Sequence, residues 1–301
     1  MKEKAVSSYF HNESEEYLLT VAVLSLDIAL GDVEENLRRV EAMIAALPEK
    51  TDVALLPELF TTSFMRDTDR MLTLAEGNDG ATMAFIARLA LSRNMMIAGS
   101  FLARDVDENG DSHFYNRGFM ILPDGNRCFY DKHHLFCLSQ EANLLSHGQQ
   151  RRPIVAFRGW NISMMICYEL RFPVWSRNVD MQADLLLVPA NWPINRGYAW
   201  KHLLIARAIE NQLVVAGADR SGCDDYGEYN GLSMIVDQLG RQIAPKPLQS
   251  PVGCPLPDNY GEQIPMPYGP IDIATLSLNN ISKLRGWLPT DRDADRFTFV
   301  E

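Results

Sequence analysis

Three reactive side chains stand at the ends of apolar segments of the sequence. Glu58 lies in LLPELF, Lys132 in YDKHHLF and Cys167 in MMICYELRFP. A cysteine is a good nucleophile only as the thiolate, so it requires a base that takes its proton or a positive charge beside it. A glutamate supplies the base and a lysine supplies the charge. Together the three residues predict attack by the thiol on a carbonyl carbon.

The same chemistry requires hydrogen-bond donors for the oxyanion that forms when a nucleophile adds to an amide. The ammonium of Lys132 and the backbone N–H of Tyr168, the residue after the cysteine, are the expected donors. Taken singly, the three side chains have ordinary structural explanations, because glutamate and lysine are mostly exposed and a free cysteine packs as a small apolar group. Their occurrence together at strand ends favours catalysis.

The elements that must position these residues alternate between strands and helices. Apolar runs predict strands over residues 17–25, 53–56, 95–102, 114–122, 127–130, 162–167, 185–188, 213–218, 233–236 and 271–276. Helical spacing of apolar residues predicts helices over 33–47, 83–91 and 198–212. This alternation indicates an α/β fold with two sheets that are covered on both faces. Side chains at the carboxyl ends of such strands emerge into the crevice beyond the sheet edge.

The composition excludes several classes of protein. Among 301 residues, 28 are Lys or Arg and 39 are Asp or Glu, a net charge of −11, whereas a nucleic-acid binder needs a basic face for phosphate contacts. No apolar run approaches the roughly 18 residues of a membrane span, and no signal-peptide pattern is present, so we expect a cytoplasmic protein without membrane contact. The five cysteines never form a CxxC pair, which argues against a disulfide framework and a zinc site.

One segment interrupts the alternating pattern. Residues 245–270 contain eight of the chain's 16 prolines and show little periodicity, which predicts a long insertion loop. We expect this loop to lie on the surface, near the mouth of the pocket or at a dimer contact. The rest of residues 1–301 is expected to form a single domain behind a polar tail at residues 1–16.

The motifs LLPELF, YDKHHLF and CYELRFP, in this order, resemble the Glu-Lys-Cys signatures of the carbon-nitrogen hydrolase family, also called the nitrilase superfamily. The three residues are 74 and 35 positions apart, as in that family. IAGSF, HFYNRGFMILPDG, NWP, LLIARAIENQ and GLSMIVDQLG resemble further family blocks. The resemblance implies an α-β-β-α four-layer sandwich of two sheets, a homodimer or higher homo-oligomer with association through the helices, and no metal or organic cofactor.

The resemblance also assigns a fourth acidic residue. Glu141, five positions past Phe136, is similar in place to a family carboxylate that holds the lysine charged and orients the substrate amide or water. In the implied reaction Cys167 attacks a carboxamide carbon, Glu58 passes the thiol proton to departing ammonia, and water then cleaves the thioester.

The substrate expected from the resemblance is a short acid with a terminal carboxamide. CYELRFP followed by NWPINR is most similar to the omega-amidase branch, which favours 2-oxoglutaramate or 2-oxosuccinamate. A free carboxylate needs a cationic partner, best a bidentate guanidinium. Arg196 in NWPINR is the first candidate and Arg171 in YELRFP the second, with Phe64 and Trp192 beside the apolar part of the chain.

Three alternatives stay open at this stage. The protein could belong to another branch of the family, acting on N-carbamoyl amino acids or nitriles. It could be a non-catalytic metabolite-binding protein with the same fold, which the presence of all three catalytic residues argues against. It could also be a Cys-His hydrolase that uses His133 or His134, although neighbours in a strand point to opposite faces, so at most one shares the face of Lys132.

Overall fold

Strands and helices alternate along the chain in the computed structural model, which describes residues 17–246 and 260–298. The strands are β1 Leu18–Leu24, β2 Val53–Leu55, β3 Met96–Val106, β4 Ser112–Ile121, β5 Arg127–Asp131, β6 Ile154–Phe157, β7 Trp160–Met164, β8 Leu185–Ala190, β9 Val214–Asp219, β10 Ser221–Asp224, β11 Gly227–Asn230, β12 Met234–Val236, β13 Gln242–Ala244, β14 Glu262–Ile264 and β15 Ile271–Ser277. The α-helices are α1 Val33–Ala45, α2 Thr68–Thr73, α3 Ala81–Arg93, α4 Glu141–Leu144, α5 Pro173–Ser176, α6 Gly197–Asn211 and α7 Leu278–Trp287.

The described strands form two large sheets and one hairpin. One sheet has the order β14-β15-β1-β2-β3-β4-β5, the other has the order β13-β12-β9-β8-β7-β6, and β10 pairs with β11. Strands β1, β2 and β3 run parallel, as do β7, β8 and β9. The carboxyl ends of parallel strands meet at one edge of a sheet, and the catalytic candidates follow such ends.

Alternate residues of the strands face different layers. In β1, Val21 and Val23 point into the core between the two sheets, whereas Ala22 packs towards α1 and α3. On the other sheet Leu187 points inward and Leu186 packs against α6. The layers are therefore helix, sheet, sheet and helix, which confirms the expected four-layer sandwich. Within the described ranges, none of the helices has the length and apolar character that crossing a membrane requires.

The predicted elements are confirmed with local differences. Helix α1 begins at Val33, and the side chain of Asp32 caps it by accepting a hydrogen bond from the Glu35 N–H at 3.1 Å. The Glu35 carboxylate forms ion pairs with arginines of the same helix. The strand predicted over residues 162–167 ends at Met164. Cys167 has a φ of +46°, in the left-handed region, and such a residue cannot continue an extended strand.

The proline-rich segment is not a loop throughout. Residues 247–259 lie outside the described residues, as does the predicted polar tail at 1–16, but Glu262–Ile264 forms the edge strand β14, paired with β15. Tyr268 packs beside α1, with the guanidinium of Arg38 5.2 Å from its ring centre. None of the described residues of this segment lines the cavity at the catalytic candidates. The expected position near the pocket mouth or at a dimer contact stays a prediction.

Candidate active site

Glu58, Lys132 and Cys167 meet at one point although they come from three separate segments. Glu58 follows β2, Lys132 comes directly after β5, and Cys167 lies shortly beyond β7. The Nζ atom of Lys132 donates to Oε1 of Glu58 at 2.7 Å, and the Cys167 thiol lies close enough to the same carboxylate for its charge to raise the pKa of the thiol. The side chains of Glu58 and Lys132 are 1% exposed. The ends of the three strands thus place a thiol, a carboxylate and an ammonium group in one buried cluster.

Glu141 completes this cluster at the start of α4. Nζ of Lys132 lies 2.9 Å from Oε1 and 3.0 Å from Oε2 of Glu141. Oε2 also accepts from the Phe136 N–H at 2.8 Å, which fixes the plane of the carboxylate. The buried carboxylate is therefore paired with a charge and hydrogen-bonded, as burial of a charged group requires.

Asn116 on β4 joins the two carboxylates and was missed by sequence analysis. Its Nδ2 atom donates to Oε1 of Glu58 at 2.8 Å and to Oε1 of Glu141 at 2.9 Å. Its Oδ1 accepts from the hydroxyl of Ser100 at 2.9 Å. The available sequence signal was a polar residue, Asn116, just before the apolar run in NRGFMIL. Such a pattern does not predict which buried groups the side chain contacts.

The charges of the cluster decide the resting state of the thiol. Burial alone would lower the pKa of Lys132, but the negative charges of Glu141 and Glu58 outweigh it and raise this pKa. Burial raises the pKa of the Cys167 thiol well above its usual value, the charge of Glu58 raises it further, and Lys132 opposes the shift. The cluster already holds one more carboxylate than ammonium. These surroundings favour the protonated form of the thiol, so attack on a carbonyl would require a base to take its proton.

The nucleophile sits on a strained turn that a buried carboxylate supports. Cys167 opens the 3₁₀ turn Cys167–Arg171, and its left-handed backbone costs about 1–3 kcal/mol. Beneath the turn, Oε2 of Glu169 accepts from the Ile166 N–H at 2.7 Å, and Oε1 accepts from the Tyr130 hydroxyl at 2.6 Å. The N–H of Tyr168 lies in the first part of the turn and has no acceptor inside the turn. Glu169 is a second residue that sequence analysis missed.

A cavity of about 250 Å³ opens beside the thiol. The substrate-binding candidates all line it, namely Phe64, Tyr168, Arg171, Trp192 and Arg196. The guanidinium carbon of Arg171 lies 4.9 Å from the ring centre of Trp192, and that of Arg196 lies 5.0 Å from the ring centre of Phe136. Within the described residues no carboxylate forms an ion pair with either guanidinium. Both guanidiniums lie over aromatic rings and are therefore available to bind an anionic ligand.

The hairpin β10–β11 supplies one side of the cavity, which the sequence analysis did not foresee. Tyr226 and Tyr229 on this hairpin line the cavity. The hairpin is fixed by a fully buried ion pair, in which Arg220, just before β10, donates to Asp224 at the turn end at 2.9 Å, and Ser63 donates to the same carboxylate. The hairpin is therefore joined to the loop after Glu58 and is held at a defined distance from it.

His133 and His134 do not take part in this cavity. Strand β5 ends at Asp131, so the opposite-face argument does not apply, and both rings pack in one aromatic cluster instead. The His133 ring stacks on Trp175 at 4.2 Å and the His134 ring on Phe172 at 3.9 Å between ring centres. Burial lowers the pKa of His134 to about 4. Neither ring lines the cavity with Cys167, so the geometry argues against a Cys-His pair.

The chemistry of the side chains gives no indication of a metal centre in this cavity. Across residues 17–246 and 260–298, no group of three or more His, Cys, Asp or Glu side chains is arranged to hold a metal ion. The expected absence of a cofactor remains a prediction.

Comparison with known proteins gives consistent results over most of the chain. Residues 20–251 match the family model of the carbon-nitrogen hydrolases. Omega-amidase YafV of Yersinia enterocolitica is 36% identical over 285 residues, covering 94% of this chain and 99% of that protein. The 2-oxoglutaramate amidase of Bacillus subtilis is 34% identical over 228 residues, covering 75% of this chain and 85% of that protein. A solved CN-hydrolase superfamily protein from Xanthomonas campestris has a TM-score of 0.79 at 32% identity, covering 94% of this chain and 99% of that chain.

Proposed function

The chain belongs to the carbon-nitrogen hydrolase family and is an amide-hydrolysing enzyme, and from this premise we propose that it is an omega-amidase, which removes ammonia from the terminal carboxamide of a short carboxylic acid. The observation that carries the proposal is a buried thiol beside Glu58 in a cavity lined by two guanidiniums, neither of which forms an ion pair with a carboxylate of the described residues. The names of the relatives, an omega-amidase and a 2-oxoglutaramate amidase, support the same substrate class.

The first half of the proposed reaction forms a thioester. Glu58 accepts the thiol proton while Sγ of Cys167 adds to the carboxamide carbon, and the carbonyl oxygen becomes an oxyanion. The ammonium of Lys132 and the N–H of Tyr168 stabilise this oxyanion. Glu58 then gives its proton to the nitrogen, the C–N bond breaks, and ammonia leaves.

The second half regenerates the thiol. Glu58 accepts a proton from water, whose oxygen adds to the thioester carbon and forms a second oxyanion at the same donors. The C–S bond breaks, the carboxylic acid leaves, and the proton returns to Sγ. Glu141 touches Lys132 and keeps it charged through both halves, because a neighbouring carboxylate favours the ammonium form.

The substrate carboxylate is proposed to bind at the guanidiniums. A cavity of about 250 Å³ is small for a binding pocket and suits a short linear acid better than a peptide. Arg196 and Arg171 provide forked donors for the carboxylate and a 2-oxo group, and their aromatic contacts limit the orientations of both side chains. Trp192 and Phe64 contact the methylene groups between the two ends.

The carboxylate contact makes a prediction about Arg196. Arg196→Ala is expected to raise KM for omega-amide acids about 10- to 100-fold and to change turnover of butyramide little, because only the charge-assisted hydrogen bonds to the carboxylate are lost. Ammonia release measures the rates with both kinds of amide. Arg171→Ala tests the second cation, and Arg104→Ala, at an exposed position outside the cavity, is the matched control. Equal losses on charged and uncharged amides would contradict the role, and turnover of N-carbamoyl amino acids or nitriles instead of amides would assign another branch.

The assembly and location expected from the sequence are also proposals. Tyr198, Ile209 and Trp287 on the outer helices are exposed, and their apolar surfaces support association of two chains through this layer. A single-chain mass in sedimentation velocity would contradict the homodimer. The cytoplasm suits the reaction because it keeps a nucleophilic thiol reduced.

A further inference from the structure

The side-chain amide of Asn191 is buried in the active-site cavity with neither of its polar atoms satisfied. Asn191 is 7% exposed and lines the cavity with Glu58 and Cys167. Within the described part of the chain, neither Nδ2 nor Oδ1 has a hydrogen-bond partner. The great majority of buried polar side-chain atoms are hydrogen-bonded, because an unsatisfied one loses its hydration without compensation. An amide with two unused groups in a ligand cavity indicates that the ligand supplies both partners.

The backbone of Asn191 is fixed to the catalytic pair. Asn191 comes directly after β8, and its N–H donates to Oε2 of Glu58 at 3.0 Å and lies within hydrogen-bonding reach of the Cys167 thiol. The next residue, Trp192, is held by its own N–H, which donates to Asp219 at 2.7 Å. The backbone that carries the unsatisfied amide is therefore anchored at the catalytic carboxylate, and the side chain lines the same cavity.

The proposed reaction assigns no hydrogen-bond acceptor to the NH₂ group of the substrate, which meets Glu58 only when it receives a proton. The carbonyl carbon faces Sγ, the carbonyl oxygen faces Lys132 and the N–H of Tyr168, and the distal carboxylate faces the guanidiniums. The carboxamide NH₂ group still has two donor hydrogens. A carboxamide presents a donor and an acceptor side by side, so two carboxamides can pair through two hydrogen bonds.

We propose that the Asn191 side chain binds the scissile carboxamide of the substrate, with Oδ1 accepting from the NH₂ group and Nδ2 donating to the carbonyl oxygen. This assignment rests on the proposed amidase function. It makes Asn191 a specificity residue for the leaving group, because an ester or thioester of the same acid has no N–H for Oδ1. A site built to bind an N–H discriminates against analogues that lack it, since its own acceptor is then left unpaired.

The test compares two substrates with the same acyl group, succinamate and monomethyl succinate. Asn191→Leu removes both polar atoms at similar volume. It is expected to lower kcat/KM for the amide about 10- to 100-fold and for the ester by a clearly smaller factor, because the ester loses only the Nδ2 contact to its carbonyl oxygen whereas the amide also loses the Oδ1 contact. Equal losses on the two substrates, or no loss on the amide, would overturn the proposal. Leu138→Ala, at an apolar position of the same cavity, is the matched control and should change both substrates to the same extent.

The melting temperature of the Asn191→Leu variant distinguishes a role of Asn191 in substrate recognition from a structural role. Because Asn191→Leu removes two unsatisfied buried polar atoms, its melting temperature should equal or exceed that of the wild type. A clear decrease, together with retained amide turnover, would show that the amide holds the fold instead. If the wild type hydrolyses butyramide but not succinamate, the proposed substrate class fails, and the comparison of butyramide with methyl butyrate still tests Asn191.

Discussion

Cys167→Ala is expected to abolish ammonia release, by about 10⁴-fold or more, while the folded structure remains intact. Only the thiolate can form the thioester, and loss of the nucleophile in a comparable catalytic group is among the largest single effects known. The substitution removes one buried sulfur atom, so thermal unfolding should change little beside the loss of activity. Ammonia release and the melting temperature measure the two effects.

A covalent adduct identifies the same atom directly. Mass spectrometry of the wild-type enzyme, quenched during turnover, should detect an acyl group on the peptide that contains Cys167. Cys137 and Cys223 are exposed and free, and their alanine variants should keep full activity, which makes them the matched controls. An adduct on either of these residues would contradict the assignment of the nucleophile.

The catalytic candidates could be predicted from sequence because each follows an apolar strand and has a chemically distinctive type. Strand ends of an α/β fold gather at one edge, so residue type and position together predicted that Glu58, Lys132 and Cys167 would meet. The structure brings them into contact, and their roles stay predictions until the variants are measured.

The residues that were missed act through long-range pairing. Asn116 contacts carboxylates 58 and 25 positions away, and Glu169 contacts the Tyr130 hydroxyl 39 positions away. Neither residue has an unusual local pattern. Their importance depends on how two sheets and several loops are placed relative to one another. The periodicity of residues within one segment carries no information about this placement.

The residues that line the cavity were also predictable only in part, because some of them are positioned by contacts between separate loops. Arg171 and Trp192 lie within recognisable motifs close to the nucleophile and the strand ends. Tyr226 and Tyr229 lie on a short hairpin, whose position is set by the buried pair of Arg220 and Asp224. Polar interactions between separate loops determine this placement, and loop positions follow sequence patterns much less closely than strands and helices do.

The ammonium of Lys132 is expected to govern both the rate and its pH dependence. Lys132→Met keeps a side chain of similar length without the charge and should lower kcat about 100-fold or more, because an oxyanion donor is lost. Lys132→Arg should restore only part of the rate, since a planar guanidinium is a poor substitute for a compact ammonium. Near-normal turnover by the methionine variant would contradict the oxyanion role.

The same variant removes the cation between two buried carboxylates. Glu58 and Glu141 both contact Nζ, and without it two like charges are buried together, which disfavours ionisation of both carboxylates at once. A protonated Glu58 cannot act as base, and the acidic limb of the kcat/KM profile should therefore move to higher pH. Adding Glu141→Gln removes the second charge, and the double variant should return the limb towards its wild-type position while the rate stays low. An acidic limb that is unchanged in Lys132→Met would mean that another group keeps Glu58 ionised.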